Sequence, residues 1–273
     1  TKAIVKSKVK KVIYSIEDND FRTHKKSKKI LKSKKISVQS GLLSKETRKF
    51  YKIYNYVKKN NKPYVIGKLA CSSDLSILKN KTHITNEYSR KVSHLLRYEN
   101  QGILTTYKTI NNDNPKLNCR IDGLENFSPI KIIIDRDLKI KQNSYVLNKS
   151  KFQKTIIFHN SKNLKKINFL KKRGTKLIKF NTENDNYFDL KKIFKKIYDI
   201  GIHSILIESG KIFINKLLSK NLFNEFYLFM SNKSLKNTNK VNISDVKRSL
   251  NIKFKNRNLV NTYLDKDKLL HYY

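Results

Sequence analysis

The basic residues of the stretch 63–120 are spaced in a way that could bind a phosphorylated ligand. Arg90, His94 and Arg97 occur at i, i+4 and i+7, so a helix would carry all three on one face. Guanidinium groups form strong charge-assisted hydrogen bonds with phosphate, and this row could therefore face an anion. Lys68 lies within an apolar run, where its ammonium could donate to a sugar hydroxyl or extend from an edge strand into solvent. A solvated polar face is the alternative for the arginines.

Two strands and a polar loop must position these side chains. Residues 64–69 are β-forming or apolar, and the small residues 70–73 would let a ligand lie against the backbone. Residues 102–106 form a second predicted strand, and the polar residues 109–114 form a predicted loop that Pro115 closes. Binding sites gather at strand ends in α/β folds, so these parts could meet at one pocket. An ordinary βαβ unit would have the same pattern.

The helix between the two strands is predicted from its cap and its apolar spacing. Thr85 is in a position to cap its N-terminus. Apolar residues then recur at i, i+4, i+7 and i+8, and we expect them to form the buried stripe: Tyr88, Val92, Leu95 and Leu96.

A second candidate site lies at the tripeptide Glu208-Ser209-Gly210. It separates a predicted strand over residues 204–208 from a predicted helix over residues 212–218. Gly210 would permit close approach of a ligand to the backbone, and the free N–H groups of the helix would suit a phosphate. The chain has only seven glycines, and none of them forms a Rossmann or P-loop pattern. A plain strand-to-helix turn is the alternative.

The combined pattern resembles the reductase domain of the bifunctional riboflavin biosynthesis deaminase/reductases, which has a dihydrofolate-reductase-like fold. Lys-x-Ala-x-Ser-x-Asp is followed in that family by Ile-Thr, Leu-Arg, a Thr-x-x-x-Asp-Asn-Pro-x-Leu-x-x-Arg loop and an acidic, glycine-containing turn before a helix. The matching residues here are Lys68, Ala70, Ser72, Asp74, Ile84, Thr85, Leu96, Arg97, Thr109, Asp113, Asn114, Pro115, Leu117, Arg120 and 208–210. The resemblance covers nearly the whole chain.

The resemblance implies an α/β three-layer fold with a central mixed sheet and an NADPH-dependent reduction of 5-amino-6-(5-phosphoribosylamino)uracil to the ribitylamino product. It implies catalytic roles for Lys68 and Glu208. The implied cofactor contacts are Ala70, His83, Thr109, Asp113, Gly210, Lys211, Ile212 and Phe213. The implied substrate contacts are Lys81, Arg97, Leu117, Arg120 and Glu208. Lys68, Glu208 or water could supply the proton, and the sequence does not choose between them.

Three positions depart from the family pattern. Leu75 stands where the family has glycine, and Lys81 and His83 stand at the family's serine and tryptophan. Lys81 could replace one phosphate contact with another, whereas His83 is a smaller platform than tryptophan. These changes affect the expected contacts with the substrate more than the expected fold.

Residues 1–61 are expected to be a separate small α/β piece, and residues 62–273 the reductase domain. The first part resembles the end of the family's cytidine-deaminase-like domain, after its zinc ligands. The six histidines and two cysteines have no ligand spacing, so we expect no zinc and no other metal. Asn60 to Pro63 is a polar linker. The chain starts at Thr1, which suggests a fragment or a processed product.

The net charge of +40 would ordinarily indicate a nucleic-acid partner. Only nine of the 61 basic residues are arginine, the residue best suited to bidentate phosphate and base recognition. The lysines are spread along the chain among many asparagines and isoleucines, so we expect only weak, non-specific polyanion binding. A basic nucleic-acid-binding protein, a related pteridine or folate reductase, and a remnant that binds without turnover remain alternatives.

Other features predict a protein of the cytoplasm. No run of 18 apolar residues predicts a membrane span, and Cys71 and Cys119 give no disulfide framework. A homodimer is possible.

The second half of the chain alternates predicted strands and helices. Predicted strands cover residues 130–134, 155–158, 177–180 and 226–230, and predicted helices cover residues 161–172 and 190–198, the second closed by Gly201. Residues 232–246 are predicted to be a polar loop, and the rest of the tail mostly antiparallel strands.

Overall fold

In a computed structural model of the chain, the structure describes residues 1–20, 22, 25–78, 83–150, 153–183, 187–235 and 240–273. These residues form two compact units, Thr1–Tyr64 and Val65–Tyr273.

The first unit is a small α/β assembly around one parallel strand pair. Its elements are α1 (Lys2–Lys6), β1 (Lys11–Tyr14), α2 (Lys26–Ser33), β2 (Ser37–Ser40), α3 (Ser44–Phe50) and α4 (Lys52–Asn60). Strand β1 pairs in parallel with β2. The buried apolar residues of this unit are Leu31, Ile36, Val57 and Tyr64. Helices α3 and α4 are separate because the backbone leaves helical geometry at Tyr51 (φ −89°, ψ 16°).

Among the residues described, eleven further strands and seven further α-helices belong to the second unit. The strands are β3 (Tyr64–Cys71), β4 (Ser76–Leu78), β5 (Gly102–Thr106), β6 (Ile130–Ile134), β7 (Thr155–His159), β8 (Lys176–Lys179), β9 (Ser204–Glu208), β10 (Glu225–Met230), β11 (Lys240–Asn242), β12 (Arg257–Leu259) and β13 (Lys268–Tyr272), of which β3 begins at the last residue of the first unit. The helices are α5 (Glu87–Tyr98), α6 (Tyr107–Asp113), α7 (Tyr145–Asn148), α8 (Leu164–Lys172), α9 (Leu190–Asp199), α10 (Lys211–Ser219) and α11 (Ser244–Lys253).

Nine of these strands form one mixed sheet in the order β12-β13-β10-β3-β9-β5-β6-β7-β8. Strand β10 is parallel to β3, strand β5 is parallel to both β9 and β6, and β7 is parallel to both β6 and β8. The antiparallel pairs lie at one edge, where β13 joins β10 and β12. The predicted α/β fold with a central mixed sheet is confirmed.

Both faces of the sheet are buried. Leu104 and Ile132 belong to a cluster that also contains apolar residues of α9, α10 and α11. Their neighbours Ile103 and Ile133 are also fully buried, and they point to the opposite face because side chains alternate along a strand. Near-continuous apolar strands are typical of parallel sheets covered on both sides.

The predicted buried stripe of α5 is confirmed at Leu96 and wrong at Tyr88 and Leu95, which are exposed. Ser89 and Ser93 are buried instead. The serine hydroxyls are satisfied locally and at long range, since Ser89 Oγ donates to Asp267 Oδ2 at 2.7 Å and Ser93 Oγ donates to the Ser89 carbonyl at 3.0 Å. The helix is capped by Asn86, whose side chain accepts from the Ser89 N–H, and not by Thr85 as predicted.

Two other sequence predictions are corrected. Residues 109–113 belong to helix α6 and not to a loop, and only Asn114 leaves the helix, in the left-handed region (φ 42°). The tail contains α11 in addition to strands, and Ser244 to Val246 of the predicted polar loop are its first turn. The polar sequence of α11 hides two buried residues, Val246 and Leu250, which point to the same face four positions apart.

Asp74 fixes the tight turn between β3 and β4. One carboxylate oxygen accepts from Ser72 Oγ at 2.6 Å and from the Leu235 N–H at 3.0 Å. The other accepts from Lys240 Nζ at 3.0 Å. Leu75, where the family has glycine, lies in the left-handed region with φ 54°, which explains why glycine suits this turn.

Candidate functional site

A cavity of about 770 Å³ lies in the second unit, where several strands of the sheet end. The residues predicted for the site that line it are Lys68, Ala70, Thr109, Asp113, Leu117, Glu208, Gly210, Lys211, Ile212 and Phe213. His83, Arg97 and Arg120 are not among its lining residues, and Lys81 lies outside the residues that the structure describes. Two regions far apart in sequence, 68–117 and 208–213, therefore meet at one cavity.

The carboxylate of Glu208 is the centre of a buried charge cluster. It accepts two parallel hydrogen bonds from the Arg97 guanidinium, at 2.8 Å to Oε1 and 2.9 Å to Oε2. The ammonium of Lys68 lies 3.9 Å from Glu208 Oε2. All three side chains are at most 16% exposed, so water screens these interactions weakly.

The cluster sets the protonation of its members. Burial by itself would raise the pKa of Glu208, but the charges of Arg97 and Lys68 hold that pKa well below its ordinary value. Burial lowers the pKa of Lys68, and the nearby Glu208 carboxylate opposes this. Glu208 is therefore an ionised acceptor at neutral pH, whereas Lys68 is a donor that gives up its proton more readily than an exposed lysine.

Arg97 and the backbone of Arg120 both approach His94, and Arg97 Nη1 lies 3.4 Å from His94 Nδ1. Arg97 donates to the Asn118 carbonyl at 3.1 Å, and the Arg120 N–H donates to His94 Nδ1 at 3.2 Å. Burial and the charges of Arg97 and Arg120 lower the pKa of His94 to about 4, so its ring is neutral at physiological pH. His94 Nδ1 also lies 3.1 Å from the Asn118 carbonyl oxygen, a contact that local sequence spacing does not predict.

Arg120 and His83 lie next to this cluster. The Arg120 guanidinium donates to Asn118 Oδ1 at 2.8 Å and is largely exposed. The pKa of His83 is lowered by burial and then by the charges of Arg90, Arg120 and Lys68, so these cations lie near the histidine. Together they make this side of the cluster a positive surface. Glu208 and the Asn118 carbonyl accept three of the five N–H donors of Arg97.

The turn before α10 exposes backbone to the cavity. Gly210 is the N-cap residue of this nine-residue helix, and no side chain caps it. A Cβ built on Gly210 would meet nothing within 4 Å, so the backbone there faces open space. The uncapped first-turn N–H groups and the partial positive charge of the helix end are suited to a phosphate. Ser209 beside it lies 3.3 Å from Thr109 through the two hydroxyl oxygens.

Cationic residues that the sequence reasoning missed also line the cavity. They are Lys108, Arg136, Lys139 and Lys216, and the tyrosine ring of Tyr187 lies among them. Lys108 follows the end of β5 and Arg136 follows the end of β6. The adjacent position of these two parallel strands could have indicated this cluster, because polar residues after neighbouring strand ends meet at one edge.

The walls of the cavity between these charged groups are apolar. Ile84, Ile134, Phe188 and Leu190 contribute to them. Ligand sites commonly combine such walls with a few placed polar groups, and flat aromatic rings fit between them.

In the part of the chain that the structure covers, no three His, Cys, Asp or Glu side chains are grouped to hold a metal ion. Among the same residues, no helix has the length and apolar character needed to cross a membrane.

Comparisons with known proteins identify relatives of this arrangement. Residues 63–260 match the RibD C-terminal domain family. The riboflavin biosynthesis protein RibD of Aquifex aeolicus is 27% identical over 236 residues, which are 85% of this chain and 64% of that protein. A 2,5-diamino-6-ribosylamino-4(3H)-pyrimidinone 5′-phosphate reductase of Eremothecium gossypii is 28% identical over 174 residues, 57% of this chain and 68% of that protein. The chain thus spans less than two thirds of the Aquifex protein.

Solved structures share the fold. Acinetobacter baumannii RibD superposes with a TM-score of 0.80 at 20% identity, covering 99% of this chain and 74% of that one. The Saccharomyces riboflavin biosynthesis reductase Rib7 gives a TM-score of 0.59 at 21% identity, covering 83% of this chain and 98% of that one. With a family match over most of its length and a cavity built from the family's motif residues, this chain belongs to the RibD C-terminal domain family.

Proposed function

We propose that the chain is an NADPH-dependent reductase of riboflavin biosynthesis. Its substrate would be 5-amino-6-(5-phosphoribosylamino)uracil and its product the ribitylamino compound. The observation that carries the proposal is the meeting of Lys68 and Glu208 with the uncapped turn at Gly210 in one cavity. The relatives named as RibD proteins and pyrimidinone phosphate reductases support it.

The residues of the cavity fit NADPH. The open backbone at Gly210 and the first turn of α10 would hold the pyrophosphate, with Lys211 beside it. Ala70, Thr109, Asp113, Ile212 and Phe213 line the same cavity and would contact the rest of the cofactor. His83 would contribute from the neighbouring positive surface. When bound, NADPH supplies the hydride.

The substrate would enter from the side of Arg120 and His83. Arg120 has an exposed guanidinium that can bind the substrate phosphate, and Lys81 would assist it. Leu117 and Glu208 line the cavity and would position the pyrimidine and the ribose. Arg97 would act through Glu208, which it holds ionised and in place.

We propose that Lys68 donates the proton that the ribose oxygen needs. Reduction adds hydride to C1′ of the ribose, breaks the bond from C1′ to the ring oxygen, and leaves its electron pair on that oxygen. The oxygen then needs one proton. Glu208 is ionised and cannot donate it, whereas the buried ammonium of Lys68 can and would recover a proton from solvent at the cavity mouth.

We further propose that residues 1–61 are the end of a deaminase domain without its zinc site and that residues 62–273 are the reductase domain. In that arrangement the chain would need NADPH and no zinc, it would act in the cytoplasm, and it could form a homodimer. Specific nucleic-acid binding is not part of this function.

The decisive experiment incubates the chain with NADPH and the phosphorylated pyrimidine and follows the nicotinamide absorbance. The second candidate substrate is the 2,5-diamino pyrimidinone named for the Eremothecium relative, which should be assayed in parallel. We expect turnover of the uracil substrate, with a lower kcat/KM for the diamino compound. Turnover of neither would refute the proposed function.

A further inference from the structure

His94 is a buried side chain of helix α5 that no step of the proposed reaction uses. It is 7% exposed and does not line the cavity. Its imidazole contacts Asn118 and Arg120, which lie at the end of residues 114–120. This exit segment, residues 114–120, follows helix α6 and forms neither helix nor strand.

The exit segment contributes to the cavity and also carries Arg120. Pro115 and Leu117 line the cavity, and the side chain of Arg120 is exposed at the end of the segment. Leu117 is buried, and its backbone lies in the left-handed region with φ 50°. A leucine seldom adopts this conformation, so contacts from other elements must hold the segment in place. The same contacts determine where the guanidinium of Arg120 lies.

Nδ1 of His94 accepts a backbone hydrogen bond from the exit segment. The Arg120 N–H donates to it at 3.2 Å, and Arg97 Nη1 lies 3.4 Å from the same nitrogen. The direction of a backbone N–H is fixed by the chain, so Nδ1 carries a lone pair and the ring proton is on Nε2. The pKa of His94, lowered to about 4, keeps the ring neutral at pH 7.

Arg97 and His94 hold adjoining parts of the exit segment. The Asn118 carbonyl oxygen accepts from Arg97 Nη1 at 3.1 Å. His94 holds the backbone two residues further along, at Arg120, whose guanidinium donates to Asn118 Oδ1 at 2.8 Å. The backbone of Arg120 is therefore fixed by the imidazole, and its side chain starts from that fixed point.

We propose that His94 is a positioning residue for the substrate phosphate, because its Nδ1 holds the backbone of Arg120 where the guanidinium can bind that phosphate. This inference rests on the proposed function, since it assumes that the cavity takes a phosphorylated pyrimidine. His94 contacts neither substrate nor cofactor and acts through Arg120. Without the acceptor, the Arg120 N–H would turn to water, and the guanidinium would move with it.

Two substitutions separate the acceptor from the bulk of the imidazole. Asparagine places an amide oxygen near the position of Nδ1, whereas leucine fills similar space without an acceptor. We expect His94→Leu to raise the KM for the phosphorylated pyrimidine about tenfold, the scale of one charge-assisted contact, with little change in kcat. His94→Asn should restore most of the loss. The KM for the dephosphorylated analogue should be nearly constant in both variants.

The control and a replacement variant use the same assay. His203→Leu should change neither constant, because His203 is exposed and does not line the cavity. If His94→Leu does not fold, His94→Gln takes its place, since the glutamine oxygen reaches the position of Nε2 and leaves that of Nδ1 empty. A His94→Asn variant as impaired as His94→Leu, with an equal loss for the dephosphorylated analogue, would overturn the proposal.

A double variant tests whether His94 acts through Arg120. Arg120→Ala already removes the guanidinium, so the addition of His94→Leu should raise the KM no further, because residues that act through one contact are not additive. A role of His94 in general stability would instead multiply the two effects. Multiplied effects would therefore contradict the proposal.

Direct binding separates this inference from the reductase function. Calorimetry measures the Kd of the phosphorylated pyrimidine for the wild type and His94→Leu. If the wild type reduces the pyrimidine and His94→Leu binds it with full affinity, the role of His94 is overturned and the reductase stands. If the wild type binds the pyrimidine without reducing it, and His94→Leu weakens that binding about tenfold, the role of His94 is supported and the reductase is refuted. A wild type that does not bind the pyrimidine would overturn both.

Discussion

The guanidinium of Arg97 and the carboxylate of Glu208, 111 residues apart in the chain, form a two-bond buried ion pair. The pair joins helix α5 to the end of strand β9. Removing one partner of a buried pair leaves the other charge without compensation, which costs about 3–5 kcal/mol.

We therefore expect Arg97→Ala to lower the free energy of unfolding by about 3 kcal/mol at pH 7. Arg120→Ala is the control and should change it by less than about 1 kcal/mol, because Arg120 is exposed. The pKa of Glu208 is lowered on folding, so the stability from its ionised form is present above its unfolded pKa and is lost as the pH falls. Urea denaturation at pH 7 and pH 4 should show the Arg97→Ala deficit shrinking at the lower pH; an equal deficit at both would contradict the pair's role.

The same two variants separate the roles of the arginines in catalysis. Arg120→Ala should lose about ten- to a hundredfold in kcat/KM for the phosphorylated substrate and little for its dephosphorylated analogue. Arg97→Ala should lose activity on both, because it disturbs Glu208. The NADPH dissociation constant should be nearly unchanged in each. If Arg97→Ala instead lost only the preference for the phosphate, Arg97 would be a direct phosphate contact.

Gly210→Val should weaken NADPH binding without harming the fold. The φ of Gly210 is −68°, which any residue adopts, and an added Cβ meets no protein atom within 4 Å. The valine side chain would project into the cavity and obstruct the approach of the cofactor to the helix turn. We expect affinity to fall by about 1–3 kcal/mol in a fluorescence titration, with an unchanged Tm. If Gly210→Val bound NADPH with unchanged affinity, Gly210 would not be part of the cofactor site.

Lys131 predicts an unusual dependence of stability on pH. It is fully buried in β6, and its ammonium donates to the neutral Gln153. Burial lowers its pKa to about 8. Because the unfolded chain binds this proton more tightly, the lysine destabilises the protein at pH 7, and the penalty fades as the pH rises from 8 to the unfolded pKa near 10.5.

Lys131→Met should therefore stabilise the protein at pH 7 by about 1–3 kcal/mol, since it removes the penalty and one hydrogen bond. The gain should shrink in denaturation curves measured at pH 9 and pH 10. Lys154→Met, at an exposed position in the same region, should give no comparable gain. A gain independent of pH would show that the methionine acts by packing alone.

The charge of +40 predicts DNA binding that is weak and unspecific. A plot of log affinity against log salt should be steep, and a scrambled duplex should bind as well as any chosen sequence. A sequence preference that survives physiological salt would favour the nucleic-acid alternative over the enzyme.

The strands of the sheet could be predicted because apolar β-branched runs such as residues 130–134 carry a local signal. The face of α5 could not, because Ser89 is buried through its bond to Asp267, 178 residues away. The pairing of Arg97 with Glu208 could not be predicted for the same reason, because the two residues are far apart in the sequence. Local spacing identified both residues as candidates, but it contained no information about which acceptor binds the guanidinium.

Asp74 shows how a motif residue can mislead a search for active-site residues. It belongs to the sequence pattern that indicates the site, yet it does not line the cavity, and its carboxylate joins the turn after β3 to Leu235 and Lys240. Val241, the next residue along β11, does line the cavity. A substitution at Asp74 would therefore displace a wall of the cavity and abolish ligand binding without removing any ligand contact. Mutational mapping alone would score this carboxylate as a binding residue, and only a stability measurement beside it would reveal an architectural one.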